Sequence, residues 1–108
     1  MTNYLLIESR DGIDARDGGF GCELAGTLLR RGDRVVLFAV QNGVLALRRG
    51  AHASALTAHI RSGLSVLADS FSLRERGLVA DQLAAGVTVS ELDTVIDRLA
   101  EGWRVIWH

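Results

Sequence analysis

The chain alternates short apolar runs with amphipathic stretches, and that alternation fixes what it can fold into. Tyr4-Leu5-Leu6-Ile7, Val35–Val40 and Leu64–Ala68 are too short for buried helices and show no polar alternation. Each therefore reads as a strand buried on both faces, as in a parallel sheet. Val87-Thr88-Val89 reads as a short fourth strand and Trp103–Trp107 as a fifth. Between the first two strands, Gly18–Arg31 reads as a helix. Phe20, Leu24, Thr27 and Leu28 share its inner face, Cys22, Ala25 and Leu29 lie beside them, and Gly32 ends it. After the Gln41-Asn42-Gly43 break, Val44–Arg49 forms one or two helical turns. Ala53–Arg61 follows as a helix with Leu56 and Ile60 inward. Ser70–Arg76 is a helical turn closed by Gly77, and Val79–Ala85 is a weak helix. The clearest helix runs over 90–101. Ser90 caps it, Asp93 takes the capping-box position, and Leu92, Val95, Ile96 and Leu99 form its inner stripe. Strand and helix in turn predict an α/β fold: one domain over residues 1–108, about five mostly parallel strands, helices on both faces in flavodoxin-like layering.

Composition removes several function classes. Twelve basic residues meet thirteen acidic ones, so no charge excess points to nucleic acid or an anionic membrane. No apolar run approaches a membrane span of about 20 residues, and Met1–Tyr4 lacks the basic start of a secretory signal. One cysteine, Cys22, allows no internal disulfide, and a cytoplasmic location is the simplest expectation. All twelve basic residues are arginine. Without lysine there is no Schiff-base chemistry and no Walker A loop. The arginine richness reads as the genomic bias of a GC-rich bacterium.

In sheets of this kind ligands bind beyond the carboxyl ends of the strands, which here means Glu8–Asp17, Gln41–Val44 and Ala68–Ser72. Gly18-Gly19-Phe20-Gly21 fails the dinucleotide pattern because Leu24 stands where its last glycine belongs, so no nucleotide cofactor is expected. Asp11, Asp14 and Asp17 match no calcium loop, and acids ahead of a helix are expected from its dipole. His52, His59 and His108 lack ligand partners at metal spacing, so each takes a surface role and no metal is expected. Cys22, about one turn into its helix, feels the dipole that favours a thiolate, but its place near the apolar stripe suits a small core residue. Asp69 and Ser70 end the third strand. There Asp69 either acts as a base or caps the next helical turn, and capping is the better reading.

Four segments in order carry a resemblance: "NYLLIES", "GDRVVLFAVQNGVLAL", "SLRERGL" and "DRLAEGWRVIWH". They are similar to the first strand, the second strand with its "QDGV" turn, the "LRERGL" segment and the final strand of the DsrE/DsrF/DsrH superfamily. These are small α/β proteins that include the subunits of the TusBCD sulfur-relay complex. The resemblance implies a DsrE-like fold and association into trimers or hexamers, as a homo-oligomer or with a DsrE-family paralogue. It also implies a sulfur donor protein as a possible partner. In sulfur-carrying members a cysteine precedes the glycine of that segment by about eight residues. Counting back eight from Gly77 arrives at Asp69. A carboxylate cannot carry sulfane sulfur, and Cys22 matches no family cysteine.

Two readings follow. In the favoured one the chain is a non-catalytic assembly subunit whose pocket or interface uses Asn42, Gly43, Phe71, Arg74 and Arg76. In the other it is a sulfur-transfer or small-molecule enzyme using Cys22, or Asp69 with Ser70. The terminal strand bears on the first. Trp103, Val105 and Trp107 share one face of it, and either a partner subunit or the 90–101 helix covers that face.

Overall fold

The structure is a computed structural model that describes residues 1–11, 20–50 and 53–108. Gly12, Asp14, Asp17, Gly18, Gly19 and His52 lie outside the described residues. Five strands form one sheet: β1 (Asn3–Glu8), β2 (Arg34–Ala39), β3 (Ser65–Asp69), β4 (Thr88–Ser90) and β5 (Arg104–Trp107). Their order is β4-β3-β2-β1-β5, and every neighbouring pair is parallel. The α-helices among the described residues are α1 (Phe20–Arg30), α2 (Ala53–Arg61), α3 (Ser70–Glu75) and α4 (Asp93–Ala100).

The strand order dictates where the helices go. From β1 to β4 each strand is laid beside its predecessor in one direction. The step from β4 to β5 runs back across the whole sheet, so a right-handed crossover must pass over the opposite face. Accordingly Leu6, Val35, Leu37, Val66 and Ala68 pack with Ala25 and Leu28 of α1, Leu56 of α2 and Leu73 of α3. Leu5, Ile7, Val36, Phe38 and Val40 face the other way and pack with Val95 of α4 and Trp103. Among the described residues, three helices and two 3₁₀ segments thus flank one face, and α4 serves the other.

Several local expectations need correction. Thr27, placed on the inner face of α1, is exposed, while Ala25 and Leu28 are buried. The turns after β2 are a 3₁₀ segment that starts early, spanning Gln41–Leu47. Val79–Ala85 is not a helix beyond the 3₁₀ turn Ala80–Gln82. The Ala84 N–H bonds the Leu47 carbonyl and Leu83 bridges Arg48, so the chain is drawn out straight. Ser90 does not cap α4. It pairs with Asp69 as the last residue of β4, its hydroxyl meets Thr94 Oγ1 at 2.8 Å, and the helix starts later.

The inner stripe of α4 is the largest correction. Val95 is buried, but Leu92, Ile96 and Leu99 are each more than half exposed, Ile96 by 63%. The helix is rotated so that Val95 and Arg98 meet the sheet. The guanidinium of Arg98 stacks on one side of the Trp103 ring at 5.1 Å, with Arg34 also over the ring at 5.4 Å. Trp103 is thereby covered within the chain, 7% exposed, whereas Trp107 on the same strand face is 64% exposed. The covering helix and the open face each account for one tryptophan.

Candidate functional site

The carboxyl ends of β2, β3 and β5 and the approach to α4 enclose an open groove of about 420 Å³. Its lining comprises Val40, Gln41, Asp69, Phe71, Ser72, Glu75, Arg76, Leu92 and Trp107. The volume falls in the range of small-molecule sites, about 300–1,000 Å³. Phe71 and Trp107 supply exposed aromatic walls.

Asp69 anchors the floor. Its residue is buried, and its Oδ2 accepts the Ser72 N–H at 3.0 Å and the Ser72 hydroxyl at 2.7 Å. The sequence folds this way because the apolar run of β3 stops at Asp69 in an extended conformation, and its side chain then satisfies a first-turn donor of α3. Ser72 Oγ in turn accepts the N–H of Gln41 at 2.8 Å. That bond ties the end of β2 to the start of α3. It also accompanies a left-handed backbone at Gln41 (φ 51°), a conformation that costs a non-glycine residue about 1 kcal/mol or more. Arg76 closes one side, with Nε donating to Asn42 Oδ1 at 3.1 Å and a terminal nitrogen donating to the Ser72 carbonyl at 3.3 Å.

The expected site residues therefore separate. Asp69, Phe71 and Arg76 line the groove and Asn42 holds Arg76 in place. Ser70 begins α3 half-buried and is not part of the lining, and Arg74 is exposed on the same short helix. Gly43 is buried beneath, against the backbone of Glu8. Cys22 lies half-buried on the α1 face. Burial raises its pKa and the negative charge of Glu8 raises it further, so the thiol is held protonated.

A second polar cluster sits on the α1 side, at the ends of β1 and β5. The Glu8 side chain is almost fully buried, and His108 Nδ1 lies 2.9 and 3.0 Å from its two oxygens. The Arg10 N–H donates to Glu8 Oε1 at 3.1 Å. Gly21 gives the carboxylate its seat, since a Cβ there would stand 2.8 Å from Oε2. The surface role expected for His108 is thus wrong. One hundred residues separate the pair, and the usable signal was an acid directly after an apolar strand. His59 is half-buried against Gly26. Among the described residues, no three His, Cys, Asp or Glu side chains gather to hold a metal ion, and no helix is long and apolar enough to cross a membrane.

The sequence model of the DsrE/DsrF-like family matches residues 5–108. The chain belongs to the DsrE/DsrF-like family. Solved structures share its DsrE-like fold. The Methanobacterium thermoautotrophicum protein MTH1491 superimposes with a TM-score of 0.89 at 24% identity, each chain covered in full. The ychN protein of E. coli gives 0.81 at 18% identity, also over both whole chains. BT1422 of Bacteroides thetaiotaomicron gives 0.71 at 18% identity, covering 98% of this chain and 95% of its own. At these identities the likeness is one of fold. Among curated proteins none matches this sequence. Family membership connects the DsrE-like chain to sulfur-relay proteins in general.

Proposed function

We propose that this DsrE-like protein is an assembly subunit that does not itself carry sulfur, and that its groove is completed by a neighbouring subunit. One observation carries the reading. At the strand end where the family resemblance calls for a carrier thiol stands Asp69, whose carboxylate is taken up in capping α3 and binding Ser72. The chain's one thiol gives no substitute, because burial and Glu8 oppose the thiolate that sulfur transfer requires.

Assembly is supported by surface chemistry. Ile96 and Leu99 lie on the exposed side of α4 with exposed Leu92 just ahead of the helix, and Phe71 and Trp107 stand open beside the groove. Contiguous apolar surface of this kind marks an interaction site. The partner is a second copy of this chain or a cysteine-bearing paralogue, in a cytoplasmic trimer or hexamer. A sulfur donor protein would then meet the assembly at the groove without giving sulfur to Asp69.

The test pairs light scattering after gel filtration with intact mass after exposure to a persulfide donor, for wild type and Cys22→Ser. A multimer without added sulfur is expected. A reducible gain of one sulfur atom that the Cys22→Ser variant lacks would replace this reading with the sulfur-transfer one.

A further inference from the structure

We propose that the groove binds an aromatic monocarboxylic acid, its carboxylate on Arg76 and its ring against Phe71 and Trp107. This gives a ligand to the groove of the non-carrier subunit and rests on that reading, since it takes Asp69 as a ligand contact and not as a reacting group. Arg76 follows α3, yet it is tied to a segment 34 positions earlier. Its Nε donates to Asn42 Oδ1 at 3.1 Å and a terminal nitrogen donates to the Ser72 carbonyl at 3.3 Å. Both acceptors are neutral. Among the described residues no carboxylate forms an ion pair with Arg76, and the rest of its N–H fork meets no acceptor. A guanidinium that lines a groove half-buried, fixed and unpaired is prearranged for a planar anion with two oxygens.

Asp69 defines a second contact. Its Oδ2 takes both Ser72 bonds, and among the described residues its Oδ1 accepts none. Oδ1 is not shut off from solvent and Asp69 lines the groove, so this oxygen is an open acceptor there. Ser72 thus holds both polar groups, Asp69 through its hydroxyl and N–H, Arg76 through its carbonyl. A ligand with a hydroxyl or amino donor besides its acid satisfies both. Charge narrows the acid further. Asp69 and Glu75 line the same groove as Arg76, and two carboxylates to one guanidinium repel a dianion such as a phosphate ester. A carboxylate matches Arg76 one for one. An uncharged ligand would strip water from the guanidinium and give it no partner. The apolar surfaces left open are the rings of Phe71 and Trp107, on which a flat ring stacks.

The experiment is a calorimetric titration of the whole chain with para-hydroxyphenylacetate, its neutral amide and phenyl phosphate, at about pH 7.5, where the phosphate is mostly a dianion. The acid is expected to bind at least about tenfold more tightly than the amide or the phosphate, and to lose about tenfold or more in Arg76→Gln. Phe71→Ala, which removes an exposed ring, is expected to weaken it as well. No binding of the acid up to about millimolar concentration overturns the proposal. So does an amide or phosphate that binds as well as the acid, or an affinity unchanged in either variant. Should Arg76→Gln fail to fold, the comparison of acid with amide on the wild type decides. Intact mass after exposure to a persulfide donor separates the two readings. A sulfur gain absent from Cys22→Ser ends the non-carrier reading, whereas binding blind to charge or to Arg76 ends this one.

Discussion

The α-carbon of Gly43 packs directly on the backbone carbonyl of Glu8, so closely that any Cβ would overlap the oxygen. The glycine of the "QNGV" turn is thus required by close approach of the 3₁₀ segment to β1. Gly43→Ala must push the end of β1 away from the segment that carries Gln41 and Asn42. It is expected to cost about 1–3 kcal/mol, read as a lower urea midpoint at unchanged slope.

Asp69 gives a second expectation. Removing its carboxylate in Asp69→Ala deletes the cap of α3 and leaves the buried Ser72 hydroxyl and N–H without their acceptor. A loss of about 1–2 kcal/mol is expected, with a smaller loss for Asp69→Asn, which keeps an acceptor oxygen. Equal losses in the two variants, measured by chemical denaturation, would mean that the charge and not the cap matters.

Cys22 should make stability fall in alkali. Its thiol in the folded chain ionises above the ordinary value, first through burial and then through Glu8. The unfolded thiol releases its proton near pH 8.5, so above that value the unfolded state binds fewer protons than the folded one. The Cys22 contribution is therefore complete below about pH 8 and is lost as pH rises through the folded pKa. Cys22→Ala should remove this component, so the gap between wild type and variant in denaturation midpoint should widen against wild type between about pH 8 and 10.

The outer stripe of α4 predicts what holds subunits together. Ile96 and Leu99 point away from the core, so Ile96→Asp or Leu99→Ser should leave the circular dichroism of the chain unchanged. Either is expected to weaken self-association at least tenfold, about 1.4 kcal/mol, seen as a shift to smaller species in sedimentation at micromolar concentration.

Strands were easy to read because runs such as Val35–Val40 are apolar on both faces, and only a covered parallel strand tolerates that. The corner at Asp69 was equally legible, since an acid ending an apolar run before a helical turn has few roles open to it. Leu92, Ile96 and Leu99 were misplaced for a physical reason: periodicity shows that a helix has an apolar side and is silent on whether that side meets its own sheet or another molecule. Here the ring of Trp103 and the stem of Arg98 took the inward position. The Glu8–His108 pair escaped because no local pattern links residues at opposite ends of a chain. Only the placement of β5 beside β1 joins them.

That placement also sets an order on biosynthesis. As a nascent chain leaves the ribosome, β2, β3 and β4 are each delivered next to a strand already made. The outer edge of β1 must wait, because Ser9 finds its partner 99 positions later in His108. Closing so long a loop is slow compared with pairing successive strands. Through that interval β1 offers a bare hydrogen-bonding edge to any neighbour, another nascent copy included. For this sheet, the interval between translating β1 and β5 is when mispairing on the ribosome is most dangerous.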